Sequence, residues 1–188
     1  MQYELETTDV PLDLFGSAKS KLIDKRITKN RETAFLLMLR AATSAKKFLI
    51  SRKAKSITIF IGKGNNGEDG LCLAALLKIE NIKTHIIDLD YKNRPESQAY
   101  KLCIDLGIKV ERFNKEIPRS DWYVDGVFGI GLNRDLQDNY LRAINYLQCS
   151  KSKKILSLDM PSGLDGSKGT TFNSAVKATA TITFLTLK

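Results

Sequence analysis

Hydrophobic and polar positions follow two periodicities along this chain. Across residues 32–50, apolar side chains recur at helical spacing on one face, which predicts a packing helix. From residue 56 onwards, short β-branched runs alternate with apolar-rich helical stretches, which end at glycine or asparagine. The predicted strands are residues 56–61, 84–88, 108–113, 122–128, 155–159 and 179–185, and the predicted helices between them are residues 71–80, 96–106 and 140–147.

The order of these elements predicts the fold class. Strands that alternate with helices pair in parallel through right-handed crossovers, and the helices cover both faces of the sheet. We therefore expect an α/β protein with a three-layer αβα Rossmann-like fold and a mostly parallel sheet. With 188 residues, the chain is too short for two ordinary domains. Residues 31–188 are expected to form the single domain, preceded by an N-terminal arm and short helix in residues 1–30.

Composition and charge narrow the possible functions without selecting one. The chain carries 30 Lys and Arg against 21 Asp and Glu, and this net charge of +9 attracts nucleic acids, acidic membranes and phosphorylated small molecules alike. No apolar run approaches the roughly 20 residues that a membrane span needs, so no membrane association is expected. Three scattered cysteines without a CxxC pair favour a reducing compartment, and we expect a cytoplasmic protein.

The loop after the first predicted strand carries a glycine-rich motif. Gly62, Gly64 and Gly67 have GxGxxG spacing between a strand and a helix. Glycines permit close backbone approach, and the free N–H groups of a helix N-terminus attract phosphate. Asp88, about 20 residues further on, stands where a ribose-binding acid is expected. The motif predicts a nucleotide site, and the alternative is a tight turn whose glycines serve packing only.

Two further strand ends carry carboxylates. Asp125 lies inside the apolar end of one predicted strand and Asp159 ends another, and the turn after Asp159 contains the Ser162 hydroxyl. Taken singly, either aspartate could instead cap a helix. In open parallel sheets the loops that follow the strands meet around a switch point, where they would also bring in the Asn66 amide. Such an oxygen-only set suits a hard cation and not zinc or copper.

Four segments together resemble a known family. GKGNNGEDGL, VDGVFGIGLNRDL, LDMPSGLDG and the terminal TITFLTLK resemble, in order and spacing, the motifs of the YjeF N-terminal domain family, the NAD(P)H-hydrate epimerases. The resemblance runs from about residue 24 to residue 188. It implies a Rossmann-like fold, commonly a homodimer, that interconverts the R and S forms of hydrated NADH or NADPH (NADHX and NADPHX). It also implies a functional partner, an ATP- or ADP-dependent dehydratase that restores only the S form.

The resemblance also implies roles for individual residues. A potassium ion is implied at Asn66, Asp125 and Ser162, with Asp125 as the acid–base carboxylate and Lys188 near the reacting ring. Substrate contacts are implied at Asn65, Asn66, Gly67, Glu68, Asp69, Gly129, Ile130, Gly131, Leu132, Asn133, Arg134, Asp135 and Asp159.

One position departs from the family pattern inside the glycine-rich loop. Glu68 stands where the family has a small residue. A carboxylate in this turn either repels the pyrophosphate of a substrate, points to solvent or pairs with Lys63.

Two other functions compete with the epimerase. Scaffold proteins of mRNA decapping carry a related domain without the catalytic residues, which serves dimerisation and RNA contact. The net charge and Glu68 favour such a binding module, whereas the retained strand-end residues oppose it, so nucleic-acid binding is not expected. The GxGxxG spacing and Asp88 favour an NAD-dependent dehydrogenase. Against this interpretation, the Asn65–Asn66 pair adds bulk to the turn, and no catalytic histidine, Tyr-Lys pair or arginine clamp is evident.

Overall fold

A computed structural model describes residues 30–94, 96–113, 116–149 and 153–184, together with residues 19, 20, 22, 23 and 26, which are helical. Residues 1–18 of the predicted arm and the predicted site residue Lys188 lie outside the described residues.

The helices and strands alternate as predicted. In chain order they are α1 (Arg31–Ser51), β1 (Ser56–Ile61), α2 (Asn65–Ile79), β2 (Lys83–Asp88), a 3-10 turn (Tyr91–Asn93), α3 (Gln98–Asp105), β3 (Val110–Arg112), β4 (Trp122–Gly126), α4 (Asp138–Gln148), β5 (Lys154–Leu158) and β6 (Ala180–Ile182). Polar side chains cap the N-termini of two helices. Asn30 accepts a hydrogen bond from the Thr33 amide, and Ser97 accepts one from the Tyr100 amide.

The six described strands form one sheet in the order β3-β2-β1-β4-β5-β6, and every neighbouring pair is parallel. The register sets Ile59 of β1 beside Ile86 of β2 and Val124 of β4. Strand order therefore reverses between β1 and β4, the switch point at which ligands bind in doubly wound sheets. The predicted fold class is confirmed.

Two hydrophobic layers sandwich the sheet. On one face, Ile57, Ile59 and Ile61 of β1 pack with residues of α1, α2 and α3. On the other face, Phe60 packs in a second cluster with Ile144 of α4. Because β1 is buried on both sides, its sequence is a continuous β-branched run, which explains why its predicted bounds match the structure.

The start of α2 was predicted too late. The apolar pattern begins at Leu71, but the helix begins at Asn65 and takes in half of the glycine-rich motif. Tertiary packing overrides the weak helix propensity of glycine here. A Cβ at Gly70 would lie 2.8 Å from the Ile61 side chain, so α2 can approach β1 only without one. The edge strands β3 and β6 are also shorter than predicted.

None of the helices in the described part of the chain is long and apolar enough to span a membrane.

Candidate functional site

Asp125 is the buried centre of the candidate site. It lies one residue before the end of β4 and has no exposed surface. Its Oδ1 accepts hydrogen bonds from Ser162 Oγ at 2.5 Å and from the Val127 amide at 3.3 Å. Its Oδ2 accepts from Ser157 Oγ at 2.8 Å and from the Ser162 amide at 2.9 Å. The hydrogen bonds to this carboxyl group therefore come from β5, from the turn after β5 and from the end of its own strand, β4.

Burial and hydrogen bonding act on this carboxyl group in opposite directions. Burial raises the pKa of Asp125 above its ordinary value, while the hydrogen bonds from Ser162, Ser157 and Val127 lower it in part. The net shift is upward, so a proton is held more tightly here than on an exposed aspartate. A raised pKa within a ligand-binding region of the fold is typical of functional carboxyl groups.

Ser162 joins the carboxyl group to the loop that follows β4. Its hydroxyl accepts a hydrogen bond from the Phe128 amide at 2.8 Å, and Phe128 O lies 3.2 Å from the same oxygen. Gly163 comes next at φ +92°, where a side chain would meet the Ser174 carbonyl. The turn after β5 therefore depends on glycine, and this turn aims Ser162 at Asp125.

Asn66 approaches the same strand end from the first turn of α2. A Cβ on Gly126 would lie 3.1 Å from the Asn66 carbonyl, so the start of α2 packs against the residue after Asp125. The Asn66 side chain is buried, and neither its Oδ1 nor its Nδ2 has a hydrogen-bond partner among the described residues. A buried amide with unpaired polar atoms is costly unless another group binds it.

Asp159 and Gly129 lie against each other at the ends of β5 and β4. Asp159 has φ +65°, and its Oδ2 accepts a hydrogen bond from the Ile130 amide at 3.4 Å. A Cβ at Gly129 would lie 2.5 Å from that same Oδ2. The carboxylate of Asp159 thus occupies the space that a side chain at position 129 would need.

A cleft of about 270 Å³ is lined in part by Phe128, whose amide binds Ser162. The two cationic residues in its described lining, Lys63 and Arg134, come from the loops after β1 and β4. The rings of Phe128 and Tyr140 form one wall with centroids 4.8 Å apart, and the Tyr140 hydroxyl donates to Asp90 Oδ2. Five residues predicted to contact substrate line the cleft: Gly131, Leu132, Asn133, Arg134 and Asp135.

The glycine-rich motif serves packing at two of its three glycines. A Cβ at Gly62 would lie 2.5 Å from the Val127 carbonyl, and one at Gly67 would collide with the Gly62 carbonyl. A Cβ at Gly64 would meet nothing within 4 Å. The packing interpretation therefore holds for Gly62 and Gly67. At Gly64 there is free space in front of the start of α2.

Asp88 stands at the end of β2, where a ribose-binding acid is expected, but it is tied into an ion pair with Arg94. It is buried, its Oδ2 lies 2.5 Å from Arg94 Nε, and its Oδ1 accepts from Arg94 Nη2 at 3.0 Å and from the Asp90 amide at 2.8 Å. Both oxygens are thus engaged within the protein. Two of the three alternatives for Glu68 are wrong, because its carboxylate neither points to solvent nor pairs with Lys63 but lies 3.4 Å from Arg94 Nη1.

The structure thus brings Asn66, Asp125 and Ser162 to one strand end, with Gly129, Ile130 and Asp159 beside them. Asn65, Gly67, Glu68 and Asp69 lie in the opening turns of α2. Sequence reasoning missed Arg94, Ser157, Phe128 and Tyr140. Of these four residues, only Ser157 could have been noticed in the sequence, because it is a polar residue within an apolar strand.

These features define a class of protein, a doubly wound α/β protein with a polar site at the switch point between β1 and β4. The sequence model of the family described as YjeF-related protein N-terminus matches residues 34–188. The chain belongs to this family.

Individual relatives support the same placement. The chain is 30% identical to the NAD(P)H-hydrate epimerase of Lentilactobacillus buchneri, over 87% of this chain and 78% of that protein. It is 32% identical to the NAD(P)H-hydrate epimerase of Nitrosopumilus maritimus, over 85% and 80% of the two chains. A bifunctional NAD(P)H-hydrate repair enzyme of Coxiella burnetii is 29% identical over 93% of this chain, which spans only 37% of that enzyme.

A solved structure shares the fold. The crystal structure of yeast ynu0 matches with a TM-score of 0.77 at 19% identity, and the match covers 90% of this chain and 79% of that one.

Proposed function

We propose that this protein is an NAD(P)H-hydrate epimerase, an isomerase that interconverts the R and S forms of NADHX and NADPHX. The names of the two relatives of which the chain covers 78% and 80% support this activity. The observation that carries the proposal is the buried Asp125 carboxyl group at the switch point, together with Asn66, whose backbone packs against the same strand end and whose buried side-chain amide has no partner among the described residues.

The residues at this strand end fit a potassium ion. Asn66 Oδ1, the Asp125 carboxylate and Ser162 Oγ are oxygen donors, as hard cations require. A cation bound to Asn66 Oδ1 would satisfy a buried oxygen that lacks a partner among the described residues. Only one of these donors carries a full charge, which favours a monovalent ion over a divalent one. When bound, the ion would supply a positive charge that orients and polarises the hydroxyl oxygen of the substrate.

Asp125 supplies the proton chemistry in this proposal. Epimerisation at C6 of the hydrated nicotinamide ring breaks the C6–O bond and re-forms it on the other face. A proton from Asp125 goes to the leaving hydroxyl group, which departs as water and leaves a cationic ring. Water then adds to the opposite face, and the proton returns to the carboxylate. The raised pKa of Asp125 suits a group that must hold and release a proton.

Ser162 connects the buried carboxyl group to the substrate. Asp125 has no exposed surface, so its proton must travel through a hydrogen-bonded group. Ser162 Oγ lies 2.5 Å from Asp125 Oδ1 and accepts a hydrogen bond from the amide of Phe128, a residue that lines the cleft. We assign it the role of relaying this proton. Lys188 lies outside the described residues and keeps its expected role beside the reacting ring.

The cleft supplies the binding surface for the rest of the substrate. Lys63 and Arg134 place two positive charges at its wall for the pyrophosphate. Phe128 and Tyr140 offer aromatic surface to a planar ring. The substrate-contacting residues of the proposal are those at positions 65–69 and 129–135, together with Asp159.

Two competing functions are less well supported. A dehydrogenase would need a free acid for the ribose, and both oxygens of Asp88 are held by Arg94 and Asp90. A binding module that contacts RNA has no use for a buried carboxyl group beside an unpaired amide.

We further propose that the protein acts in the cytoplasm as a homodimer, alongside a dehydratase that acts on the S form. The bifunctional repair enzyme among the relatives supports a linked second activity. Free cysteines support a reducing compartment: Cys72 and Cys103 are buried and Cys149 is exposed. Conversion of purified R-NADHX, followed by chiral chromatography, tests the central activity.

A further inference from the structure

Arg94 is a buried arginine that ties three chain segments together. Only 3% of its side chain is exposed. Its Nε and Nη2 bind both oxygens of Asp88 at the end of β2, at 2.5 and 3.0 Å. Nη2 also donates to the Gly62 carbonyl at 2.7 Å, and Nη1 lies 3.4 Å from Glu68 Oε1 in the first turn of α2. One guanidinium thus connects the ends of β1 and β2 with the start of α2.

The Gly62 carbonyl is held from two sides. Arg94 donates to its oxygen, and the Cα of Gly67 packs so closely against the same oxygen that a side chain there would collide with it. This carbonyl precedes Lys63 of the cleft wall and the turn that carries Asn66. Holding this carbonyl therefore constrains the backbone of the turn that carries both residues.

The charges around Arg94 affect the same turn. Glu68 and Asp88 are two largely buried carboxylates, with 12% and 1% of their side chains exposed, and Arg94 is the cation paired with both. Without Arg94, Glu68 would present unpaired negative charge at the start of α2, where a phosphate is expected to bind.

We propose that Arg94 is a positioning residue for substrate binding, which fixes the Gly62–Asn66 turn and neutralises Glu68. The proposal rests on the proposed function, because the ligand at this turn is the pyrophosphate of NADHX. The ion pair with Arg94 neutralises the Glu68 carboxylate and joins it to the Asp88 pair.

Geometry distinguishes arginine from lysine at this position. The guanidinium reaches Asp88, Glu68 and Gly62 through three different nitrogen atoms. A lysine ammonium is a single point charge on a flexible stem and cannot hold this arrangement. Arg94→Lys therefore keeps the charge and loses the positioning, whereas Arg94→Met loses both.

The test is isothermal titration of the full chain with NADHX, together with thermal unfolding of each variant. The variants are Arg94→Lys, Arg94→Met and the double variant Arg94→Met with Glu68→Gln. Lys46→Met is the matched control, because it removes the Lys46–Glu80 ion pair between α1 and the end of α2, away from the cleft.

We expect Arg94→Lys to weaken NADHX binding about tenfold, and Arg94→Met to weaken it further. The double variant should recover part of the affinity, since the unpaired carboxylate is gone. Lys46→Met should bind as the wild type does. A merely structural role predicts lower thermal stability with unchanged affinity in the folded Arg94→Lys variant, and that result overturns the proposal.

Turnover, measured in parallel, separates this proposal from the proposed function. A wild type that binds NADHX but does not epimerise it contradicts the epimerase and still tests Arg94 through the affinities. A wild type that does not bind NADHX overturns both.

Discussion

Ser162 Oγ lies 2.5 Å from Asp125 Oδ1, although the two residues are 37 positions apart in the chain. The parallel pairing of β4 with β5 brings the two strand ends together, and the turn after β5 carries Ser162 back over β4. A buried carboxyl group thereby gains a hydroxyl partner that also contacts the loop beside the cleft. The proposed proton path depends on this contact.

Replacing Ser162 should separate catalysis from stability. Ser162→Ala leaves Asp125 Oδ1 without its shortest hydrogen bond, and we expect a loss of about 1–3 kcal/mol in the free energy of unfolding. Loss of the relay should also lower kcat for NADHX epimerisation about 100-fold. Chemical unfolding and steady-state kinetics measure the two effects.

Ser157→Ala is the control for this prediction. It removes a hydrogen bond of 2.8 Å from the other oxygen of Asp125, on a strand that does not line the cleft. We expect a similar loss of stability and a much smaller loss of kcat. Equal losses of kcat in both variants would show that Ser162 acts only by supporting the carboxyl group.

Two glycines of the loop after β4 should respond differently to alanine. Gly129→Ala places a Cβ 2.5 Å from Asp159 Oδ2 and must displace that carboxylate, whereas Gly131→Ala places its Cβ in open space. The free energy of unfolding should fall in Gly129→Ala and change little in Gly131→Ala, and KM for NADHX should rise about tenfold in Gly129→Ala because Asp159 is displaced. If both variants keep the wild-type KM, the position of Asp159 has no part in substrate binding.

The potassium site can be tested without turnover. A cation bound to Asn66 stabilises the folded chain, so replacing choline chloride with potassium chloride at constant ionic strength should raise Tm by about 2–4 °C. Asn66→Leu should abolish this increase, because it removes the amide oxygen that lacks a partner within the described part of the chain. An equal increase in wild type and variant would place any potassium binding elsewhere.

The pKa values of the two aspartates at the ends of β4 should shift in opposite directions from the ordinary aspartate value of 3.8. Burial raises the pKa of Asp125, while backbone hydrogen bonds from Lys55 and Ser56 lower that of the exposed Asp121. Carboxyl carbon shifts of 13C-labelled aspartate, measured by NMR against pH, should show Asp125 protonated at a pH where Asp121 is already ionised. Titration of Asp125 below 3.8 would contradict the assigned effect of burial.

These shifts fix how each group links stability to pH. Between its unfolded pKa and its raised folded pKa, Asp125 binds more protons in the folded state, so its contribution to the free energy of unfolding falls as pH rises through that interval. Asp121 has a lowered folded pKa, so its contribution is present above its unfolded pKa and is lost as pH falls through the folded one.

The sequence predicts the elements best where one physical cause dominates. The run from Ser56 to Ile61 is buried on both faces, and its β-branched residues identify the strand without reference to the rest of the chain. The start of α2 depends instead on contacts with β1 that only glycine at positions 67 and 70 allows. Local propensity therefore places the helix too late.

The site residues also differ in how far the sequence identifies them. Asp125, Asp159 and Ser162 could be identified from the sequence, because polar residues at the ends of apolar strands are costly to bury unless they bind a partner. Arg94 is not visible, since its partners lie 6, 26 and 32 positions away and meet only in the folded chain. For the same reason, the sequence alone suggested a ribose-binding role for Asp88 that the ion pair precludes.

The most direct test of the central claim is the conversion of purified R-NADHX in potassium buffer, followed by chiral chromatography. The account predicts that the wild type produces an R and S mixture well above the spontaneous rate. It also predicts that Asp125→Asn binds the substrate and converts it only at the spontaneous rate. An active Asp125→Asn variant would remove the carboxyl group from the mechanism, and a wild type that binds without converting would contradict the epimerase itself.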